Sequence, residues 1–500
     1  MSVMPPNYIL PPEILNEIFL LALPHAKRGN YDALPTEDHT AVAVSQTCKF
    51  WRQVALESSA LWTEIYIQLL VIQMPQGGQD RVVTFPRLDV VDLWLERSKQ
   101  RPLTIVVDGA SSDWQLPELL SRLLREIHRW RNVDFQIGNL DKCVLGALQD
   151  PICAPKLEAF SLRTNISFEG SDLVSALPLE IWNESPLLRQ FTLVAGVVNS
   201  DSETYFLNWA KAVVSGIPCS RLTHLCIGGP IGGKERLSIS EAISILSMAS
   251  NLISCILTSV ANHDNPVRPI VRKEKLIRLE NLENLSITAN HRLGLHSTNA
   301  AILGPLQVSL ILCFVSMPNL KSLVLVDKQF WLDPSLGPLV RRFGCKLQEL
   351  VLHVLCESHD VIEFLVASPE LTQLCVWNAE DVFLSELVRF AKEEYQLDLR
   401  RDLCNKLEKL ALGKGIYNAE VLASIVFGDT RVSSKERKGW PLQSLIILDE
   451  HAEDSSEGEE VVSHNLDLDW LDGLQPKIEV DIIPLSDYIV EWVNEYTGRR

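Results

Sequence analysis

Five hundred residues exceed the needs of one ordinary core, so the chain holds more than one structural unit or one long repeat array. Its 46% hydrophobic and 7% aromatic content is globular, and a net charge of −18 argues against DNA or RNA, whose binders present a basic face. Its 11 cysteines include no Cys-x-x-Cys pair, which predicts free thiols in a reducing compartment, the cytosol or nucleus.

The chain opens on Leu10-Pro11-Pro12-Glu13-Ile14-Leu15-Asn16-Glu17-Ile18-Phe19. Pro12 suits a first helical turn, where its missing N–H would be unpaired anyway. Ile14, Ile18 and Leu21 then share one helical face, and Leu15 and Phe19 form a second apolar stripe beside it. After a polar linker over 24–40, a segment from Ala41 to Ala55 repeats the pattern, with Val44, Cys48, Trp51 and Ala55 spaced four, three and four. The unit closes near Leu61-Trp62. About 60 residues cannot bury two stripes per helix internally, so the surplus apolar face should meet a partner.

The Leu-Pro-Pro-Glu-Ile-Leu opening, the Val-x-x-x-Cys-x-x-Trp core and the trailing Leu-Trp resemble the F-box of fungal sequences, over residues 8–66. The linker is longer than in the compact form of that motif. The resemblance implies a three-helix module that docks onto the Skp adaptor of a cullin–RING ubiquitin ligase. The contact positions it implies are Leu10, Pro11, Ile14, Leu15, Ile18, Val44, Cys48 and Trp51. The plain alternative is a helical cap whose Leu, Ile and Trp side chains are simply core.

Residues 67–100 read as a transition containing an amphipathic helix over 90–100. Leu103, Ile105 and Val107 then alternate as a strand ending at Gly109, a helix is predicted over 119–130, and Val133, Phe135 and Ile137 alternate up to Gly138. From residue 155 the spacing Leu-x-x-Leu-x-Leu recurs, often just after Pro or Cys. Its first leucines are Leu157, Leu188, Leu222, Leu282, Leu320, Leu347, Leu371, Leu407 and Leu442, with a weaker copy at Leu252. The mean step is about 32 residues.

Each copy predicts a short strand whose leucines point one way. Helical stretches between copies are predicted at 240–249, 360–367 and 381–395. A strand plus a helix cannot bury its apolar edge alone, so stacked copies should build a parallel sheet. This resembles the leucine-rich repeat, although only Asn165 and Asn290 supply the polar residue that family places after its strand. The expected fold class is α/β: a three-helix F-box module, then an irregular leucine-rich-repeat-like solenoid over 101–449. An acidic loop over 450–465 and a cap over 466–500, with a strand at 477–483 and a helix at 484–496, complete the expectation.

Other chemistry reads poorly. Gly228 to Lys234 has phosphate-loop spacing, but Glu235 stands where Ser or Thr would hold Mg²⁺, so a turn after a strand is the better reading. His353, Cys356 and His359 are spaced three apart without a fourth ligand nearby. No Gly-x-Ser-x-Gly elbow occurs. Residues 1–6 are uncharged and Pro11-Pro12 interrupts any signal-like core; the longest uncharged run, 299–320, is broken by Pro305, Gln307 and Pro318. No enzyme activity, cofactor, metal, nucleic acid or membrane is therefore expected.

The expected role is substrate recognition in a Skp–cullin–F-box ubiquitin ligase, with the solenoid holding a protein substrate near the ubiquitin-charged enzyme. Residues between and just after the repeat leucines should line the open sheet face: Arg163, Thr192, His224, Thr288, Glu349, His353, Gln373, Trp377 and Lys409. The alternative is a leucine-rich interaction scaffold that assembles no ligase.

Overall fold

The computed structural model describes residues 10–23, 40–72, 81–109, 115–140, 153–167, 185–198, 217–229, 237–261, 276–289, 308–330, 336–355, 358–376, 406–413, 443–449 and 479–484. The chain divides into two compact units, Met1–Glu235 with Gly498–Arg500, and Arg236–Thr497. Both are mixed α/β and built on a mostly parallel sheet, and the first begins with helices.

The first unit opens with α1 (Pro12–Leu21), α2 (Thr40–Thr47) and α3 (Lys49–Glu57). A 3₁₀ turn, Ser59–Trp62, leads into β1 (Glu64–Ile72) and β2 (Arg81–Phe85). Then follow α4 (Leu88–Arg97), β3 (Leu103–Gly109), α5 (Gln115–Arg125), β4 (Trp130–Leu140), β5 (Ala159–Ser167), β6 (Gln190–Val198) and β7 (His224–Gly228). The strand order is β2-β1-β3-β4-β5-β6-β7, with β2 antiparallel to β1 and the other pairs parallel. The sequence reading did not foresee β1. Ile65, Ile67 and Leu69 alternate inward and are buried, so β1 belongs to the sheet although it directly follows the helical module. The helix predicted over 119–130 starts earlier and ends at Arg125. Trp130 already opens β4, and its indole N–H donates back to the Leu123 carbonyl at 3.1 Å.

The second unit contains β8 (Leu237–Ser238), α6 (Ile239–Met248), β9 (Ser254–Ala261), β10 (Ile277–Arg278), β11 (Asn284–Ala289), α7 (Val308–Phe314), β12 (Val315–Ser316) and β13 (Ser322–Phe330). It continues with α8 (Leu336–Phe343), β14 (Glu349–Leu355), α9 (Ser358–Ala367), β15 (Gln373–Val376), β16 (Lys409–Leu412), β17 (Ser444–Asp449) and β18 (Glu479–Pro484). Its main sheet runs β9-β11-β13-β14-β15-β16-β17-β18, all parallel.

The repeated motif explains this order. The residue before Leu157, Leu188, Leu320 and Leu371 is reached through a tight turn in which the leucine N–H bonds the carbonyl three residues back. The partners are Ala154, Ser185, Met317 and Ser368, at 3.1, 3.2, 3.2 and 3.2 Å. Pro155, Pro186, Pro318 and Pro369 sit second in these turns, where the fixed proline φ is already correct. The next two leucine positions lie on a strand and point inward: Leu285, Ile287, Leu323, Leu325, Leu350 and Leu352 have no accessible surface. Copies stack in register, Leu285 beside Leu323, then Leu350, Leu374, Leu410 and Leu445.

The ladder continues one residue before each strand. Lys321 N–H bonds Glu283 O at 2.7 Å, Gln348 bonds Lys321 at 2.7 Å and Thr372 bonds Gln348 at 2.8 Å. Each fully buried leucine contributes about 1.5–3 kcal/mol, so the repeated stripe is the main source of stability in this sheet.

Much of the second sheet is buried on both faces. Opposite the leucines, Ile256, Ser286, Val324, Val351, Cys375 and Ala411 are buried as well. Burial on both sides is the usual state of a parallel sheet.

Several expectations lie outside the described residues: Trp377, the helix at 381–395, the acidic loop at 450–465, and all but the first residue of the helix at 484–496, where Pro484 instead ends β18. Gly228 ends β7, and the rest of the phosphate-loop-like stretch, from Pro230 to Lys234, also lies outside them. His353 is on β14 and His359 on α9. Among the described residues no His, Cys, Asp or Glu group could hold a metal, and no helix is long and apolar enough to cross a membrane.

Candidate functional site

The helical module carries the clearest candidate surface. Pro11 stands at the N-cap of α1 with extended backbone, Pro12 occupies the first turn, and the Leu15 N–H reaches the Pro11 carbonyl at 3.1 Å. The two stripes then separate by environment. Leu15 and Phe19 are each 1% exposed, whereas Leu10 is 40%, Ile14 48%, Ile18 43% and Leu21 78% exposed. Leu15, expected at the adaptor contact, therefore lies in the module's own core. Leu21 and Leu56, which the resemblance did not single out, add exposed apolar surface.

The inner stripe holds the three helices together. The Phe19 ring lies 5.0 Å from that of Trp51, tilted by 59°. Ser58 Oγ donates to Asn16 Oδ1, joining the end of α3 to α1. Thr40 Oγ1 donates to the Ala22 carbonyl at 3.1 Å and ties the start of α2 to the end of α1. Arg52 Nε donates to the Ser45 carbonyl at 2.8 Å.

Cys48 corrects the sequence reading. Val44, Cys48, Trp51 and Ala55 do not form one helical stripe, because Cys48 is extended and separates α2 from α3. Its Sγ caps α3 by accepting the Trp51 N–H at 3.4 Å. Val44, Cys48 and Trp51 are half-buried, while Leu10, Pro11, Ile14 and Ile18 are exposed.

The module is fastened to the sheet. Trp62 is 1% exposed, and its indole N–H donates to the Ala55 carbonyl at 2.9 Å. Its ring lies 6.5 Å from that of Trp94 on α4, and the Arg97 guanidinium sits 4.5 Å from its centre. Arg101 Nε donates to Ser59 Oγ at 2.8 Å. The exposed stripe on α1 is thus carried on a supported base.

The residues expected on the open sheet face are scattered. In the first unit Arg163, Thr192 and His224 are half-buried, with Arg163 Nη1 3.9 Å from Asp134 Oδ1. In the second, Thr288, Glu349 and His353 are buried, Gln373 is half-buried and Lys409 is exposed. Register brings Glu349, Gln373 and Lys409 side by side on β14, β15 and β16, whereas His353 aligns with Val326. Asp108, Asp134, Gln136 and Tyr66, which share a sheet face with Arg163, were not named from the sequence. The alternation of β3 and β4 already turned Asp108, Asp134 and Gln136 away from the leucines, whereas Tyr66 lies on β1, which went unread. Burial raises the Asp108 carboxyl above the usual range, the Asp134 charge adds to the rise, and a hydrogen bond from Tyr66 opposes both.

Comparison with known families matches residues 8–68 to the F-box-like family. The match spans the three helices, the 3₁₀ turn and the start of β1. Comparison with the curated proteins finds no match. The first unit thus begins with an F-box-like domain whose α1 displays an apolar stripe.

Proposed function

We propose that the chain is the substrate-recognition subunit of a Skp–cullin–F-box-type ubiquitin ligase. The observation that carries this reading is the exposed row Ile14, Ile18 and Leu21, within residues 8–68 that match the F-box-like family. F-box domains generally bind Skp-type adaptors, and an apolar row outside a completed core is the surface such an interface needs. The repeat-bearing remainder, which we read as irregular leucine-rich repeats of a solenoid, would bind the protein substrate. The registered motif strands support that reading. The chain would act without chemistry of its own, by holding substrate near the ubiquitin-charged enzyme, in the cytosol or nucleus.

Affinity purification of the full chain followed by detection of the Skp adaptor and the cullin is the test. Stoichiometric recovery of both is expected. Recovery of neither, from a folded chain, would leave an interaction scaffold as the better description.

A further inference from the structure

The sheet face opposite the leucines differs along the chain. In the second unit Ile256, Val324 and Val351 are buried there. In the first unit Tyr66 and Asp134 hold that row, and Gln68, Asp108, Gln136 and Arg163 hold the next, where the second unit has buried Thr288, Val326 and His353. These six are half-buried, although Val106 and Cys226 in the first row are buried. Register sets Asp108 between Gln68 and Gln136, and Gln136 beside Arg163. Asp134 lies one row earlier, between Val106 and Ser161.

The charges on this patch do not cancel. Arg163 faces Asp134 at 3.9 Å, too far for a hydrogen bond, and Asp108 has no ion-pair partner among the described residues. On these strands two carboxylates therefore stand against one guanidinium, that of Arg163. Partial burial strengthens that imbalance, because charges shielded from water are screened less. Among the described residues the charge that bears on Asp108 is Asp134, of the same sign.

We propose that the patch formed by β1, β3, β4 and β5 is the docking face for a protein segment bearing a lysine or arginine, whose cation engages Asp108 and Asp134. This rests on the reading that the region beyond the F-box binds a protein substrate, and it names the chemistry of that substrate. A cation would supply the counter-charge that Asp108 lacks, through charge-assisted hydrogen bonds about twice as strong as neutral ones. Gln68 supplies a donor and an acceptor for the segment's backbone, while the Tyr66 hydroxyl already bonds Asp108 and the Gln136 amide N–H already reaches Asp134 Oδ2 at 3.5 Å. An acidic segment would meet two carboxylates and a guanidinium already committed to one of them.

The test is selection of a randomised decapeptide library on the purified full chain, followed by titration of the best peptide. Enrichment of Lys or Arg is expected, with affinity that falls as salt rises. Asp108→Asn should weaken that peptide at least tenfold, and Arg163→Gln, which removes the competing cation, should tighten it. Gln136→Lys adds a cation beside Asp108 and should also weaken binding at least tenfold, so the test survives if Asp108→Asn fails to fold. No binder, enrichment of Asp or Glu, unchanged affinity in Asp108→Asn, or equal weakening in Asp108→Asn and Arg163→Gln would each overturn the proposal. Adaptor recovery is measured in the same preparations. Its loss from the wild-type chain would count against the ligase reading while leaving the peptide result intact.

Discussion

Ile14 and Leu15 are chemically alike and adjacent in the chain, yet one is 48% and the other 1% exposed. A helix turns about 100° per residue, so neighbours on a two-striped helix face different surroundings. The consequences of substitution should divide accordingly. Ile14→Asp adds a charge where water already reaches, so the melting temperature should stay within about 2 °C of wild type, a surface-type effect. Adaptor capture in a pull-down should be lost, because an unpaired carboxylate would be buried in that interface. Leu15→Ala should instead lower unfolding free energy by about 2–5 kcal/mol in denaturant titration. Unchanged capture by Ile14→Asp would remove α1 from the adaptor contact. The two stripes were legible in the sequence. Which of them faces the core was not, because that depends on where Trp51 and α3 pack.

At the scale of elements, strand positions follow the motif while helix and strand ends follow local chemistry. Ser238 begins α6 with a capping box: its Oγ accepts the Glu241 N–H at 3.2 Å, and Glu241 Oε2 accepts the Ser238 N–H at 3.0 Å. Ser238→Ala should cost about 1 kcal/mol, measured by chemical denaturation. Gly109 closes β3 against Leu69 of β1. A Cβ there would lie 2.3 Å from Leu69 Cβ and 2.6 Å from its carbonyl oxygen, so the backbone must move apart. Gly109→Ala should weaken protection from hydrogen exchange at the β1–β3 pairing before it affects β5–β6. Equal loss across both pairs would mean that the close approach is not local. Glycine as a strand terminator was legible at 109; the proximity of β1 was not, since β1 itself went unread.

At the scale of the whole molecule, shielded thiols give both units the same alkaline limit. Loss of water contact pushes the buried Cys219 and Cys226 in the first unit, and the half-buried Cys345 in the second, from the ordinary 9.0 up to about 11. In the unfolded chain these thiols ionise near pH 9, while in the folded chain they hold their protons until about 11. Their contribution to stability is therefore complete below pH 9 and is lost as pH rises through about 11. Denaturation midpoints should be flat with respect to these groups from pH 7 to 8.5 and fall between pH 9 and 11. Near pH 8 a maleimide should label exposed Cys153 well before buried Cys226. Early labelling of Cys226 would contradict its burial.

The repeated Leu-x-x-Leu-x-Leu spacing by itself determined the strand positions and their parallel order, because a period-two leucine pair after a proline turn has one buried arrangement that neighbouring copies can share. The Pro-Pro-Glu-Ile-Leu start likewise determined the helical opening, because it carries its own N-terminal signal. Tertiary structure alone decided which side chains opposite those leucines meet water. Thr288 and His353 occupy the same motif position as Arg163, just after the last leucine, but they are buried and Arg163 is not. Strand alternation states only that a residue faces away from the leucines. Whether that second face meets water depends on the side chains that neighbouring strands set beside each position, and no local pattern encodes that.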